Sequence, residues 1–222
     1  MRLGGVDDAG RGPIIGPLVI AGVCVDEGAM SSLQELGVRD SKTLSPSQRE
    51  FLSREIRRLA LKVCIAKVEP DEIDKYVGRT SMGKLNTLEA KVMARIVEEL
   101  GADVVYIDSP DINPDRYKRR ILSFMSHTSK VKLVVENHAD ARYVIVAAAS
   151  IIAKVERDRV IEQLKATYGD FGSGYPSDPR TVDFLTRWYE EHGDFPPIVR
   201  RSWATLDRIR RMVDMKKTRR LL

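Results

Sequence analysis

Residues 18–25, Leu-Val-Ile-Ala-Gly-Val-Cys-Val, form an apolar run with no polar alternation. A run this short, bounded by turn signals, reads as a strand buried inside the protein. It follows a Gly/Pro-rich turn at 10–17 and a shorter strand at 2–7, Arg-Leu-Gly-Gly-Val-Asp. A third strand is expected at 61–68, after a helix starting at Ser45. There Ser-Pro-Ser-Gln carries a capping box, with Pro46 at the first helical position, and the helix should run to about residue 60.

The pattern then changes to helices alternating with strands. A short helix near 70–77 precedes a longer one at 84–100, where Leu85, Leu88, Val92, Ile96 and Leu100 recur at helical spacing. Strands are expected at 103–108 and 131–136, with a helix at 114–125 between them. One long helix should cover 141–167, its Ala-Ala-Ala-Ser stretch allowing close packing. A loop at 170–179, a helix at 180–192, a break at Pro196–Pro197 and a basic helix complete the chain. The three leading strands can form an antiparallel meander. The later ones, reached through helices, lie parallel to the first. The expected class is α/β: a mixed five-stranded sheet flanked by helices, with a C-terminal helical extension. The expected division is a catalytic domain over 1–195 and a basic extension over 196–222.

Charge is unevenly placed. Residues 200–222 hold nine Lys or Arg against two Asp, a net of +7 where the whole chain has +5, so the rest sums to −2. Such a tail is either a solvated helix face or a handle for a polyanion. No apolar run reaches the roughly 18 residues of a membrane helix. The expectation is a soluble, cytoplasmic, monomeric protein. Cys24 and Cys64 lie in apolar runs and read as buried reduced thiols.

The chemistry is carried by carboxylates. Asp7 and Asp8 close the first strand, Asp108 closes a strand expected parallel to it, and Asp140 stands where the long helix begins. In parallel sheets, sites gather at the carboxyl ends of strands. Phosphodiester hydrolysis needs an activated water and a neutralised phosphate, which two Mg²⁺ ions about 4 Å apart supply. Mg²⁺ takes oxygen ligands, so no His or Cys is required. On spacing alone, Asp140 also reads as a helix cap and Asp108, before Ser-Pro, as a turn former. Adjacent Asp7 and Asp8 are harder to explain without a cation. His127, His138 and His192 share no ligand spacing. Trp188 and Tyr189 read as packing residues, and Trp203 as an anchor for the tail.

Taken together the motifs resemble the ribonuclease HII family, in its archaeal form. They are Gly-Val-Asp-Asp-Ala-Gly-Arg-Gly-Pro from Gly5, Gly-Val-Arg-Asp-Ser-Lys-Thr-Leu at 37–44, Tyr-Ile-Asp-Ser-Pro-Asp at 106–111, Ala-Asp-Ala-Arg-Tyr at 139–143, Ala-Ala-Ala-Ser-Ile-Ile-Ala-Lys-Val-Glu-Arg-Asp at 147–158, the Gly-Ser-Gly-Tyr-Pro region at 169–181, and Arg-Arg-Ser-Trp-Ala-Thr at 200–205. The resemblance implies an RNase H-like fold and an endoribonuclease that hydrolyses the RNA strand of RNA/DNA hybrids. It further implies cutting of duplex DNA on the 5′ side of embedded ribonucleotides, leaving 5′-phosphate and 3′-hydroxyl ends. A role in ribonucleotide excision repair and DNA replication follows.

The resemblance makes Asp7, Asp8, Asp108 and Asp140 the catalytic and metal-binding set for two Mg²⁺ or Mn²⁺ ions. Asp7 would bridge both. Gly10, Arg11 and Gly12 would read the ribose 2′-hydroxyl together with Tyr175, whose ring would stack on the sugar of the next deoxynucleotide. Lys42 would contact phosphate, Arg11 similarly, and Asn86 is a weaker candidate for a backbone contact. Without the resemblance, 10–12 reads as a tight turn and Tyr175 as a loop aromatic.

Two departures stand out. The family has Glu where this chain has Asp8, one methylene shorter, which predicts lowered activity or a changed Mg²⁺/Mn²⁺ preference. Some archaeal relatives end in a sliding-clamp-binding peptide with a Gln and paired aromatics. This chain ends Met-Lys-Lys-Thr-Arg-Arg-Leu-Leu, which argues against clamp binding. The sister type, ribonuclease HIII, normally carries an extra N-terminal domain; with Asp7 so near Met1, the expectation is type HII.

Overall fold

The computed structural model describes residues 1–38, 44–78 and 82–221. Its centre is a five-stranded sheet in the order β3-β2-β1-β4-β5. The strands are β1 (Arg2–Ala9), β2 (Leu18–Asp26), β3 (Lys62–Val68), β4 (Val104–Asp108) and β5 (Lys132–Glu136). β1, β2 and β3 pair antiparallel, while β4 joins β1, and β5 joins β4, in parallel. The mixed sheet expected from the sequence is the one observed.

The helices are α1 (Met30–Glu35), α2 (Pro46–Leu59), α3 (Pro70–Val77), α4 (Met82–Leu100), α5 (Pro114–Leu122), α6 (Ala139–Arg142), α7 (Val144–Tyr168), α8 (Pro179–His192) and α9 (Ala204–Leu221). Alternation along β2 divides the core. Leu18, Ile20 and Cys24 face a cluster built with α3, α4 and α5. Val19, Ala21, Val23 and Val25 face one built with α1, α2 and α7. Burying each Val or Ile contributes about 1.5–3 kcal/mol. A third cluster joins Ile14, Ile15 and Phe171 to α8 and α9 through Leu185, Leu206, Ile209 and Val213. Trp203 packs against it, as expected of an anchor. Both cysteines are free and buried, and burial pushes Cys64 up to about 11.

The Ser45 capping box forms with both of its hydrogen bonds, and α2 ends one residue short of the expected boundary. The long helix expected from 141 is broken. Tyr143 is extended, at φ −116° and ψ 115°, between α6 and α7. Its hydroxyl donates to Glu136 Oε1 at 2.9 Å, and its ring lies 4.4 Å from that of Tyr106. These sheet contacts hold Tyr143 out of helical geometry. The small residues at the start of α7 pack as anticipated. Ala147, Ala148 and Ala149 are buried, and a Cβ on Gly5 would lie 2.2 Å from the Ile145 carbonyl oxygen. Only glycine lets β1 lie this close to α7. α1, which lacks a clear apolar period, was not anticipated.

Candidate active site

The carboxylates are placed by the β1–β4 register. Val6 pairs with Ile107, and the next residue on each strand is Asp7 or Asp108. Asp7 is 5% exposed, and the Asp8 amide donates to its Oδ1 at 2.8 Å. Burial raises the Asp7 carboxyl well above the ordinary range, and the charges of Asp8 and Asp108 add to this; a hydrogen bond from Ser150 on α7 opposes it. Asp8 is pushed up to about 6, again first by burial, with Arg11 opposing and Asp108 reinforcing the shift. Three carboxylates from two parallel strands thus repel one another in a place of low solvation.

Asp140 arrives by a different route. His138 adopts left-handed geometry at φ 58° and stands as the N-cap of α6. The Ala139 amide then donates to Asp108 Oδ1 at 2.7 Å. Asp140 therefore lies in the first turn of α6, not at its cap. The cap alternative fails because β4 supplies the acceptor from outside the helix.

Beside the carboxylates runs the Gly10–Gly12 loop, whose carbonyls are held from the far end of the chain. Arg200, with no solvent exposure, donates to Gly16 O at 3.0 Å, Arg11 O at 3.0 Å and Gly10 O at 2.6 Å. Trp203 Nε1 donates to Gly12 O at 3.1 Å. Gly10 takes φ +87°, and a Cβ there would lie 2.2 Å from Arg157 Nε, so glycine is required. Gly12 faces Tyr175, and a Cβ there would lie 3.3 Å from Cε1. The Tyr175 loop is ordered by Asp178, which accepts from Ser173 N at 2.7 Å and Arg180 N at 3.0 Å. These amide donors hold the Asp178 carboxyl down at about 2.

Asp7, Asp8, Asp108, Asp140, Gly10, Arg11, Gly12 and Tyr175 all line one groove of about 800 Å³. Lys42 lies outside the described residues. Arg11 turns its guanidinium onto α4, where Nη2 donates to Asn86 Oδ1. Asn86 Nδ2 also reaches Asp111 Oδ2 at 3.5 Å, so in this structure Asn86 serves the protein's own loops. Sequence reasoning missed Ser150, Lys154, Arg157, Lys165 and Arg49, which share the groove. For Ser150, Lys154 and Arg157 on α7 the signal was their spacing of three or four along one helix face. The sequence marks Arg200 as tail charge and as part of the Arg-Arg-Ser-Trp-Ala-Thr motif, with no place in the groove. Among the described residues no group of three or more His, Cys, Asp or Glu is arranged to hold a metal ion as it stands.

The family model described as Ribonuclease HII matches residues 4–206. The chain belongs to the ribonuclease HII family. It is 50% identical over 211 residues to the ribonuclease HII of Pyrococcus abyssi, covering 94% of this chain and 91% of the relative. Its fold is similar to the crystal structure of ribonuclease H2 from Pyrococcus horikoshii OT3, with a TM-score of 0.88 at 44% identity over 96% of this chain and 99% of that one. It is also similar to a chain in the structure of the PCNA:RNase HII complex from Archaeoglobus fulgidus, with a TM-score of 0.82 at 42% identity over 91% and 95% of the two chains. Membership makes this protein a nuclease that hydrolyses phosphodiester bonds, with the RNA strand of RNA/DNA hybrids as substrate. Among the described residues no helix is long and apolar enough to cross a membrane.

Proposed function

We propose that this ribonuclease HII cuts duplex DNA on the 5′ side of a ribonucleotide at an RNA–DNA junction, leaving 5′-phosphate and 3′-hydroxyl ends, with two divalent ions bound. The observation that carries this reading is that four aspartates from β1, β4 and α6 share a groove with the Gly10–Gly12 loop and Tyr175.

The donor set fits a divalent cation. All four side chains offer carboxylate oxygens, which suit Mg²⁺ or Mn²⁺. Asp7 is buried among like charges that raise its pKa, a repulsion that a cation relieves. Asp7, Asp8 and Asp108 would hold the ions, with Asp7 the central ligand, and Asp140 would complete the site. When bound, the ions supply an activated water and neutralise charge on the scissile phosphate.

The remaining work falls to the protein. With its carbonyls held by Arg200 and Trp203, the 10–12 loop keeps its backbone fixed against a ribose, whose 2′-hydroxyl distinguishes RNA from DNA. Tyr175, 41% exposed, presents its ring beside Gly12 for the following deoxyribose. Arg49, Lys154 and Lys165 line the groove and favour a polyanion. Lys42 is proposed as a further phosphate contact, and Arg11 contributes by tying the loop to α4.

The test is cleavage of a labelled DNA duplex bearing one ribonucleotide, with Mg²⁺ or Mn²⁺, beside an all-DNA duplex and a Holliday junction. A single nick 5′ to the ribonucleotide, and no cutting of the other two, is expected. Equal cutting of the all-DNA duplex would refute the sugar-reading role.

A further inference from the structure

Glu89 on α4 has no exposed side-chain surface. Neither of its carboxylate oxygens accepts a hydrogen bond from the described residues. Its charge contact is Arg11 Nη1, 3.3 Å from Oε2. Three residues earlier on the same helix face, Asn86 accepts from Arg11 Nη2. The Arg11 guanidinium is therefore gripped by α4 at two points.

On its other side the loop is held by Arg200, which donates to the carbonyls of Gly10 and Arg11. Arg200 is itself buried, and a buried guanidinium is costly without an anion nearby. Burial pushes the Glu89 acid up to about 8, Asp8 adds to the rise, and Arg11 and Arg200 oppose it, so the carboxylate is the main form only above that pH. It belongs neither to the carboxylate set proposed for metal nor to the residues lining the groove.

We propose that Glu89 is a positioning residue for the sugar-reading loop: its carboxylate, buried on α4 at 3.3 Å from the Arg11 guanidinium, fixes Gly10–Gly12 in one conformation at the groove. The inference rests on the reading of that loop as the 2′-hydroxyl contact. Its consequence is specific. Loss of the charge loosens substrate recognition and leaves the carboxylates, and hence the chemical step, in place.

Glu89→Gln keeps the shape and removes the charge. Kinetics at about pH 9, where Glu89 is ionised, on a duplex with one embedded ribonucleotide should show KM raised about fivefold or more with kcat within about twofold. Glu89→Asp should recover part of the loss. Arg11→Met combined with Glu89→Gln should be no worse than Arg11→Met alone, because the two act as one unit. A folded Glu89→Gln with unchanged KM overturns the proposal, as do multiplying effects in the double variant. Repeating the kinetics across a Mg²⁺ series separates the two routes: a shift in the Mg²⁺ needed for half-maximal rate, with KM for the duplex unchanged at saturating Mg²⁺, also overturns it, since Glu89 would then act through Asp8. Should Glu89→Gln fail to fold, Asn86→Ala removes the other tie to Arg11, and the same KM rise is expected, its absence counting against the proposal. A parent protein that does not cleave the substrate sinks the ribonuclease reading itself, whereas an active parent with indifferent variants sinks this inference alone.

Discussion

Gly12 and Tyr175, far apart in the chain, meet across the groove, with the tyrosine ring 3.3 Å from where a Gly12 Cβ would stand. Gly12 has no strained backbone angle, so Gly12→Ala asks only that the ring move by a few tenths of an ångström. Its melting temperature should stay within a few degrees of the parent. Cleavage at a single embedded ribonucleotide should fall several-fold. Tyr175→Ala should fall further, by roughly tenfold, equivalent to about 1.4 kcal/mol of transition-state binding. Parallel rates on this substrate and on an all-RNA/DNA hybrid check it. The effect should be larger on the former, where a deoxyribose follows the ribonucleotide.

The acidic cluster weakens the metal-free protein at neutral pH. Asp8 rises from its ordinary 3.8 to about 6 on folding, chiefly through burial. The folded state therefore holds more protons between those values, and this contribution to stability declines as pH rises through that window. Asp8→Asn removes the loss. Without metal it should melt higher than the parent at pH 7, by on the order of 1–3 kcal/mol in stability, with the difference shrinking toward pH 4. Thermal melts in a chelating buffer at several pH values decide it. A constant difference across pH would show that the carboxylate is not strained by its surroundings.

Asp8 stands where the family pattern has Glu. Asp8 lies in the fields of Arg11, Lys154 and Arg200, and a ligand one methylene short must be placed to within about half an ångström. Asp8→Glu should raise the rate with Mg²⁺ and narrow any advantage of Mn²⁺. Rates in each metal test this, and no gain with Mg²⁺ together with an unchanged preference would count against it.

The basic end of α9 invites truncation. Val213 is buried in the third core cluster, so the cut belongs after it. Removing 214–222 deletes Lys216, Lys217, Arg219 and Arg220 and leaves that anchor. Duplex affinity should drop, and the slope of log affinity against log salt should flatten by up to about 3 to 4, at roughly 0.9 per lost phosphate contact. An unchanged slope would leave the tail as a solvated helix.

Much of this was legible in the sequence because it follows from local pattern. Strand alternation, the Ser45 capping box and the small residues of α7 each determine their own geometry. The carboxylates were legible as strand-end residues, since the parallel register aligns Asp7 with Asp108. What escaped notice depends on tertiary contact. Tyr143 breaks a helix its neighbours favour because Glu136 and Tyr106 hold its side chain. Asp140 lost its cap role because Asp108 accepts the α6 amide. Arg200 looked like one more tail cation until its three backbone carbonyls were seen, and Glu89 like an ordinary helix residue on an otherwise apolar face.

The central claim is that the aspartates of this groove bind the divalent ions used for cleavage at a ribonucleotide. Calorimetric titration of Mn²⁺ into the parent and Asp7→Asn, alongside single-turnover cleavage of the one-ribonucleotide duplex, tests it most directly. The account predicts Mn²⁺ binding by the parent, weakened about tenfold or more in Asp7→Asn, with cleavage lost in step. Equal Mn²⁺ binding and undiminished cleavage by Asp7→Asn would contradict it.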